Sequence, residues 1–251
     1  METRYTRNRI YHTNQEQETI KDYPIILGGC GIGSVIAECA LRLGFENITI
    51  IDGDKVESSN LNRQNYTEKD ISDYKTDALL SRLKAINKDA KIKVHNCFLT
   101  KENVEKHTSG HKIAINALDF TWEVPLLFDE ICQKQNIPVL HPYNLGWGGL
   151  VAVITPKSLS LNSIAKPHEK FNEVSMVEYA SGYLKFWGNP QDWLDEVVEK
   201  YKNEKEKLPP PQLSIASWQV AAMCTHILFN IATDKKIKKF PEFYFSTILD
   251  S

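Results

Sequence analysis

The sequence has no cysteine pair, no excess of one charge and no long apolar run. Its five cysteines stand apart at positions 30, 39, 97, 132 and 224. None forms a C-x-x-C pair, which argues against a zinc ribbon or a thioredoxin-like dithiol. An odd count outside any framework reads as reduced thiols, and so as a cytoplasmic protein. Basic residues number 30 and acidic residues 32, for a net charge of −2. That balance gives no general electrostatic footprint for nucleic acid and leaves only a local basic patch open. No stretch approaches the ~18 apolar residues of a membrane span, so a membrane partner is not expected. The first nine residues, Met1 to Arg9, lack the apolar core of a secretory signal.

What is present is ordinary for a globular chain. Of 251 residues, 42% are hydrophobic and 25% charged, which excludes disorder and collagen-like repeats. A chain of this length can build its core without disulfides or structural metal. Residues 24–28 form a short apolar run ending in glycine, as a buried parallel strand does. A helix pattern from Ser34 to Leu43 follows, with Gly44 placed to end it. Strands then alternate with helices: 48–51, 75–87, 91–96, 101–107, 112–116, 122–135 and 137–140. This alternation predicts an α/β fold, a doubly wound and mostly parallel sheet covered on both faces over about 20–155.

The second half is less regular. Leu150–Ile154 reads as one more strand after Gly146-Trp-Gly-Gly149. Residues 157–213 are aromatic and charged and end in Pro209-Pro-Pro211, an insertion that packs back on the main unit. Within it, Trp193, Leu194, Val197, Val198 and Tyr201 share one helical face. An apolar helix at 213–232 and a strand at 243–248 close the chain.

Chemistry concentrates in the first half. In Gly28-Gly29-Cys30-Gly31-Ile32-Gly33, Gly28, Cys30 and Gly33 occupy the G-x-G-x-x-G positions between a strand and a helix. Glycines let a phosphate approach the backbone, and the helix start offers N–H donors. Asp52 stands about 20 residues on, where an acid holds ribose hydroxyls. These features alone point to a nucleotide, with NAD the default. The following run, Asp52-Gly-Asp54-Lys-Val-Glu-Ser-Ser-Asn60-Leu-Asn-Arg63-Gln64, with Lys75 beyond it, is more than an NAD site needs. Arg63 and Lys75 suit a triphosphate, one as a planar fork and the other as a point charge.

That run resembles the D-x-D-x-V-x-x-S-N-L-x-R-Q pattern of the ThiF/MoeB/HesA family, the bacterial relatives of ubiquitin-activating enzymes, and matches every fixed position. Arg4-Tyr5-Thr6-Arg7-Asn8 resembles the family's R-Y-x-R-Q start, with Asn for Gln. Ile115-Asn-Ala-Leu-Asp119-Phe120 resembles its C-T-D-N strand end and keeps only the Asp. The resemblance covers about residues 4–155 and, more faintly, the 214–232 helix. It implies a Rossmann-like adenylation unit over 1–251: an arm at 1–22, a nucleotide-binding core at 23–156, the 157–213 crossover, and a helix and strand at 214–251. ATP and magnesium are the implied cofactors. Asp52 would bind the ribose, and Gly29, Gly31 and Gly33 would lie against the phosphates. Asp54, Asn60, Arg63, Gln64 and Lys75 would hold the triphosphate, and Asp119 the magnesium. Arg7 would reach the phosphates of the other subunit of a homodimer. The catalytic set is thus Arg7, Arg63, Lys75 and Asp119.

Plainer readings stand beside these. Arg7 could belong to a solvated arm, Asp119 could cap a helix before Thr121-Trp122, and Lys75 could be surface. Cys30 reads as a packing residue, while His141-Pro142 and Trp147 line a substrate channel or serve structure. Phe171, Tyr179, Tyr183, Phe186, Trp187 and Trp193 form either a partner surface or a local mini-core. The sequence also departs from family members that bind zinc through two C-x-x-C pairs, so no structural zinc is expected. Residues 157–213 contain no cysteine where relatives form a thioester. The expected activity is adenylation of a carboxylate without an enzyme thioester, the first candidate being the C-terminal glycine of a small ubiquitin-like sulfur carrier. A tRNA dehydratase-like enzyme, a peptide-adenylating enzyme and an ATP-binding protein without turnover are the alternatives.

Overall fold

The computed structural model describes residues 3–120, 123–166, 168, 170–206 and 208–249. Its frame is a seven-stranded sheet made of β1 (Ile25–Gly28), β2 (Asn47–Ile51), β3 (Lys91–His95), β4 (Ile113–Asn116), β5 (Val139–Asn144), β6 (Gly148–Ile154) and β7 (Phe243–Thr247). The spatial order is β3-β2-β1-β4-β5-β6-β7. The first five strands are parallel, as the alternation predicts, and β6 and β7 are antiparallel. The reason for the reversal is local: only Leu145, Gly146 and Trp147 separate β5 from β6, and a connection that short makes a hairpin.

Among the described residues, eight α-helices cover the sheet: α1 (Asn14–Lys21), α2 (Ile32–Leu43), α3 (Lys75–Ile86), α4 (Val104–Thr108), α5 (Val124–Lys134), α6 (Glu173–Phe186), α7 (Asp192–Lys202) and α8 (Ser214–Ala232). One face buries Ile25, Leu27, Ile48, Ile50 and Ile115 against Val35, Ala40 and Leu41 of α2 and Val220, Cys224 and Leu228 of α8. The other buries Ile26, Ala114, Val139 and Leu150 against Phe128, Cys132, Met176 and Leu194. Both faces of the central strands are apolar, so these strands read as continuous runs and not as alternating ones.

Three sequence expectations need correction. Helix α8 is long and apolar enough, by length and composition, to cross a membrane, but 56% of it is buried within the structure. The helix expected at 122 starts at Val124 with Glu123 as its N-cap and Pro125 in its first turn, so Asp119 does not cap it. Thr121 and Trp122, on which that reading leaned, lie outside the described residues. Finally, the 157–213 segment contains α6, which the apolar spacing did not suggest. It carries the mini-core: Tyr179 and Tyr183 pack on Phe243, and Phe171 packs on Phe120. Phe186 and Trp187 stay exposed.

Reversal of the chain's winding at β1 places β2 on one side of it and β4 on the other. Crevices in such sheets open beyond the carboxyl ends of the strands at this switch point. A cavity of ≈ 1670 Å³ opens there. That exceeds the ~300–1,000 Å³ typical of small-molecule sites, leaving room for a nucleotide and an extended second substrate.

Candidate adenylation site

The glycine turn is built by its own backbone. Gly29 has φ +94, and a Cβ there would stand 2.3 Å from the Ala117 carbonyl oxygen. Gly29 N–H donates to the Ile51 carbonyl and Ala117 N–H to Gly28, at 2.9 and 2.8 Å, which ties the turn to both neighbouring strands. Helix α2 then begins at Gly31 with no side chain capping it. Ser34 N–H turns back to the Gly31 carbonyl at 3.2 Å, and the first-turn amides have no side-chain acceptor, the arrangement that receives an anion at a helix start. Gly29 and Gly31 line the cavity. Gly33 does not: it is buried within α2, where a Cβ would meet Leu27 and Ala117 at ordinary contact distance.

Asp52, at the end of β2, is fixed by two backbone donors, Cys30 N–H at 2.6 Å and Asp54 N–H at 2.7 Å. Each carboxylate oxygen keeps one lone pair for a further donor such as a ribose hydroxyl. Burial pushes its carboxyl above the ordinary aspartate range, despite those hydrogen bonds. Cys30 is fully buried, and burial raises its thiol well above the usual value, as suits a packing residue. Tyr66 donates to the Cys30 carbonyl at 2.9 Å, so this residue is held at both its amide and its carbonyl.

The motif after β2 wraps the same cavity. Lys75 opens α3, its ammonium 2.9 Å from the Asp54 carboxylate, with its side chain 10% exposed and that of Asp54 51%. Asp54 is thus the counter-ion that aims Lys75. Asn60 is buried, and its side chain accepts from Glu57 N–H at 3.0 Å, which shapes the 58–60 turn. Gln64 has a buried amide oxygen without a partner, and its amide nitrogen lies 3.5 Å from where a Gly31 Cβ would be. Arg63 donates from Nε to Gln212 and from Nη1 to the Ser59 carbonyl, each at 2.8 Å. Gln212 follows the Pro209–Pro211 strap, so the crossover and the motif meet across the cleft.

Asp119 stands beyond β4 on the cavity wall. Burial and then the nearby Glu173 carboxylate raise its pKa, with Lys75 and Arg63 opposing. Glu173, in the first turn of α6, accepts from Phe120 N–H at 2.8 Å. Among the described residues no group of three or more potential metal ligands is assembled. Asp119 and Glu173 on the wall of one cavity nonetheless fit magnesium, which takes one or two carboxylates and fills its shell with phosphate oxygens and water. Sequence reasoning missed Glu173, because nothing in its spacing ties it to Asp119. Gln212 escaped for the same reason.

Arg7 is not brought to this cavity. It sits exposed in the 3-10 turn Thr3–Asn8, between Tyr5, which donates to Glu46 at 2.7 Å, and Asn8, which donates to the Leu43 carbonyl at 3.0 Å. Those anchors lie at the start of β2 and the end of α2. The glycine turn lies at the other end of α2, about 18 Å away along twelve helical residues. His141 lines the cavity and Trp147 does not.

A family model described as the ThiF family matches residues 5–247. The chain is 31% identical over 164 residues to the sulfur carrier protein ThiS adenylyltransferase of Bacillus subtilis, covering 63% of this chain and 48% of that one. It is 29% identical over 160 residues to the tRNA threonylcarbamoyladenosine dehydratase of Escherichia coli, covering 63% and 58%. These alignments span about half the length of the relatives. Among solved structures, E. coli MccB with AMPCPP and selenomethionine MccA shares the fold over 100% of this chain and 72% of its own, with a TM-score of 0.71 at 15% identity. With the family match running from the N-terminal arm to the last strand, the chain belongs to the ThiF family.

Proposed function

We propose that this protein adenylates a substrate carboxylate with ATP, and that the carboxylate is the C-terminal glycine of a small ubiquitin-like sulfur carrier. The observation that carries the reading is the convergence of Asp52, Arg63, Lys75 and Asp119 on one cavity. In this reading Asp52 accepts from the ribose hydroxyls, and the α2 start and glycine turn meet the phosphates. Lys75, Arg63 and Gln64 hold the charge of the triphosphate. Asp119, with Glu173 beside it, would hold magnesium, which when bound neutralises phosphate charge. A carboxylate oxygen attacks the α-phosphorus, the bond to the β-phosphate oxygen breaks, and pyrophosphate leaves. Catalysis is then positioning and electrostatic stabilisation. Arg7 completes the site from a second copy of the chain, which agrees with its place at the far end of α2 from its own cavity.

The absence of an enzyme thioester is supported by the cysteines. None lies in residues 157–213. Cys132 and Cys224 are buried, and burial pushes both thiols up. Cys97 lines the cavity but follows β3, on the far side of β2 from Asp119.

Intact-mass measurement tests the reading. A carrier with a Gly-Gly end, incubated with enzyme, ATP and magnesium, should gain one AMP, and the same carrier shortened by its last glycine should not. AMP on neither carrier, with Mg-ATP still bound, would transfer the activity to another carboxylate, an RNA one first.

A further inference from the structure

The end of β3 and the loop after it bring a thiol and two imidazoles together beside the cavity, and the nucleotide reading uses none of them. β3 runs along β2 with His95 registered on Ile51, and Asp52 N–H donates to the His95 carbonyl at 3.2 Å. The end of β3 is thus fixed next to the residue assigned to the ribose. Asn96 ties it to α3: its Nδ2 donates to Asp77 at 2.8 Å, and its Oδ1 accepts from the Thr76 hydroxyl. Cys97 comes next, half-buried on the wall of the cavity that Asp52 and Gly53 also line. Phe98 then lays its ring against Gly53, 2.6 Å from where a Cβ would stand. Asn103 closes the loop by donating to the Phe98 carbonyl at 2.9 Å and accepting from Thr100 N–H at 2.8 Å. One turn further, His107 of α4 brings its Nε2 to 3.9 Å from Cys97 Sγ. The His95 ring meets the His107 ring edge-on at 4.6 Å and backs it from the strand.

A thiol reacts as its thiolate, and an imidazole in contact with it is a ready proton acceptor. Burial, and then the charges of His95, Lys106 and His111, hold the His107 ring below the ordinary histidine value. Lys93 and His95 act on His111 in the same direction. His107 is therefore neutral at pH 7, with one ring nitrogen open to a proton. The other cysteines are placed differently. Cys30, Cys132 and Cys224 are buried, Cys39 packs against the core, and burial raises all four thiols.

We propose that Cys97 is a modification site at which a low-molecular-weight disulfide closes the nucleotide cavity, with His107 as the base. His107 takes the thiol proton, and Cys97 Sγ attacks one sulfur of the disulfide. The reagent's S–S bond breaks as the new one forms, and the departing thiolate takes the proton from His107. Sulfurs exchange partners and no further oxidant is consumed. The group left on Sγ stands beside Asp52 and Gly53, in space a nucleoside needs, and a thiol reductant removes it. The proposal rests on the nucleotide reading and adds a regulation to that site.

Oxidised glutathione is the probe. Incubated with the whole chain, it should add one glutathionyl group, which peptide mapping places on Cys97. Calorimetry should then show Mg-ATP binding lost, and regained after dithiothreitol. Mg-ATP added first should slow the labelling. Cys97→Ser should bind Mg-ATP as the wild type does and keep that binding through the same treatment. His107→Phe should be labelled more slowly, on the order of tenfold at neutral pH, because a thiol without a base is only a few per cent ionised there. The gap should close at alkaline pH, which a merely structural role of the ring would not produce. Labelling of Cys39 in place of Cys97, a labelled Cys97 that still binds Mg-ATP, or labelling indifferent to Mg-ATP overturns the proposal even if His107→Phe does not fold. So does an unchanged rate in a folded His107→Phe. Failure of the unlabelled wild type to bind Mg-ATP is a separate outcome, which removes the nucleotide reading and this closure with it.

Discussion

At Gly29 a single methyl group would collide with the Ala117 carbonyl, in a backbone conformation that side chains rarely adopt. Gly29→Ala should therefore cost more than the about 1 kcal/mol of a tolerated change and reduce Mg-ATP affinity, as calorimetry and denaturant melts can check. Wild-type affinity in a variant of unchanged stability would exclude the turn from the site. Lys75 differs, because its role is charge. Lys75→Met keeps the bulk on α3, frees Asp54, and should lower exchange by about 10²–10³ with little change in fold. Gly29 was legible in the sequence because it stands in a glycine run between a strand and a helix, and Lys75 because it follows the contiguous run from Asp52 to Gln64. His141, Asp129 and Asn116, which are joined by hydrogen bonds, were not recognisable as a unit. They arrive from β5, α5 and β4, and only the sheet register makes them neighbours.

Among the elements, α2 does more than open at the glycine turn. Ser34 Oγ accepts from Asn65 N–H at 3.1 Å, and Glu38 one turn later takes Asn65 Nδ2 and Arg82 Nε. Glu38 also pairs with Arg42 at 2.8 Å. The residue next to Arg63 and Gln64 is thereby clamped to α2, and α3 is drawn onto the same carboxylate. Burial pushes Glu38 up, but hydrogen bonds and charge from Arg82 and Arg42 outweigh it and hold its carboxyl below the usual glutamate value. A lowered folded value means stability that is present above the unfolded pKa, ~4.3, and lost as pH falls through the lower folded one. Glu38→Gln should cost about 1–3 kcal/mol at neutral pH by leaving its partners short of an acceptor. It should also lose less further stability than wild type between about pH 5 and pH 3. Parallel acid melting curves for the two proteins would contradict this. Helix α6 shows the limit of reading elements from sequence. Its cap is clear, with Asn172 accepting from Ser175 N–H at 3.0 Å, yet its apolar residues spread around several faces and enclose Gly182. Only its tertiary packing explains why it is a helix.

At the scale of the whole molecule, ligand binding and the pairing of two chains can be tested separately. Mg-ATP should raise the melting temperature and NAD should not, since in the proposed reading only the former engages Lys75 and Arg63. NAD stabilisation alone would return the chain to the default dinucleotide reading of a glycine turn and Asp52. If Arg7 acts across a dimer, mixing Arg7→Ala with Asp119→Ala chains should restore about a quarter of wild-type activity, because half the dimers are mixed and each has one intact site. No recovery, in chains shown to exchange, would confine Arg7 to its own arm. The parallel part of the sheet was readable from alternating apolar runs and turn residues. The reversal at β6 was not, since the apolar runs 137–140 and 150–154 leave nine residues, 141–149, between them, and only the extension of β5 to Asn144 and the start of β6 at Gly148 shorten the link to a hairpin. The most direct test of adenylation is magnesium-dependent ATP–pyrophosphate exchange with a carrier that has an intact Gly-Gly end, against one without it, in wild type and Asp119→Ala. Exchange only with the intact carrier and only in the wild type is the expected result. Exchange by Asp119→Ala at the wild-type rate, or exchange indifferent to the terminal glycine, would contradict it.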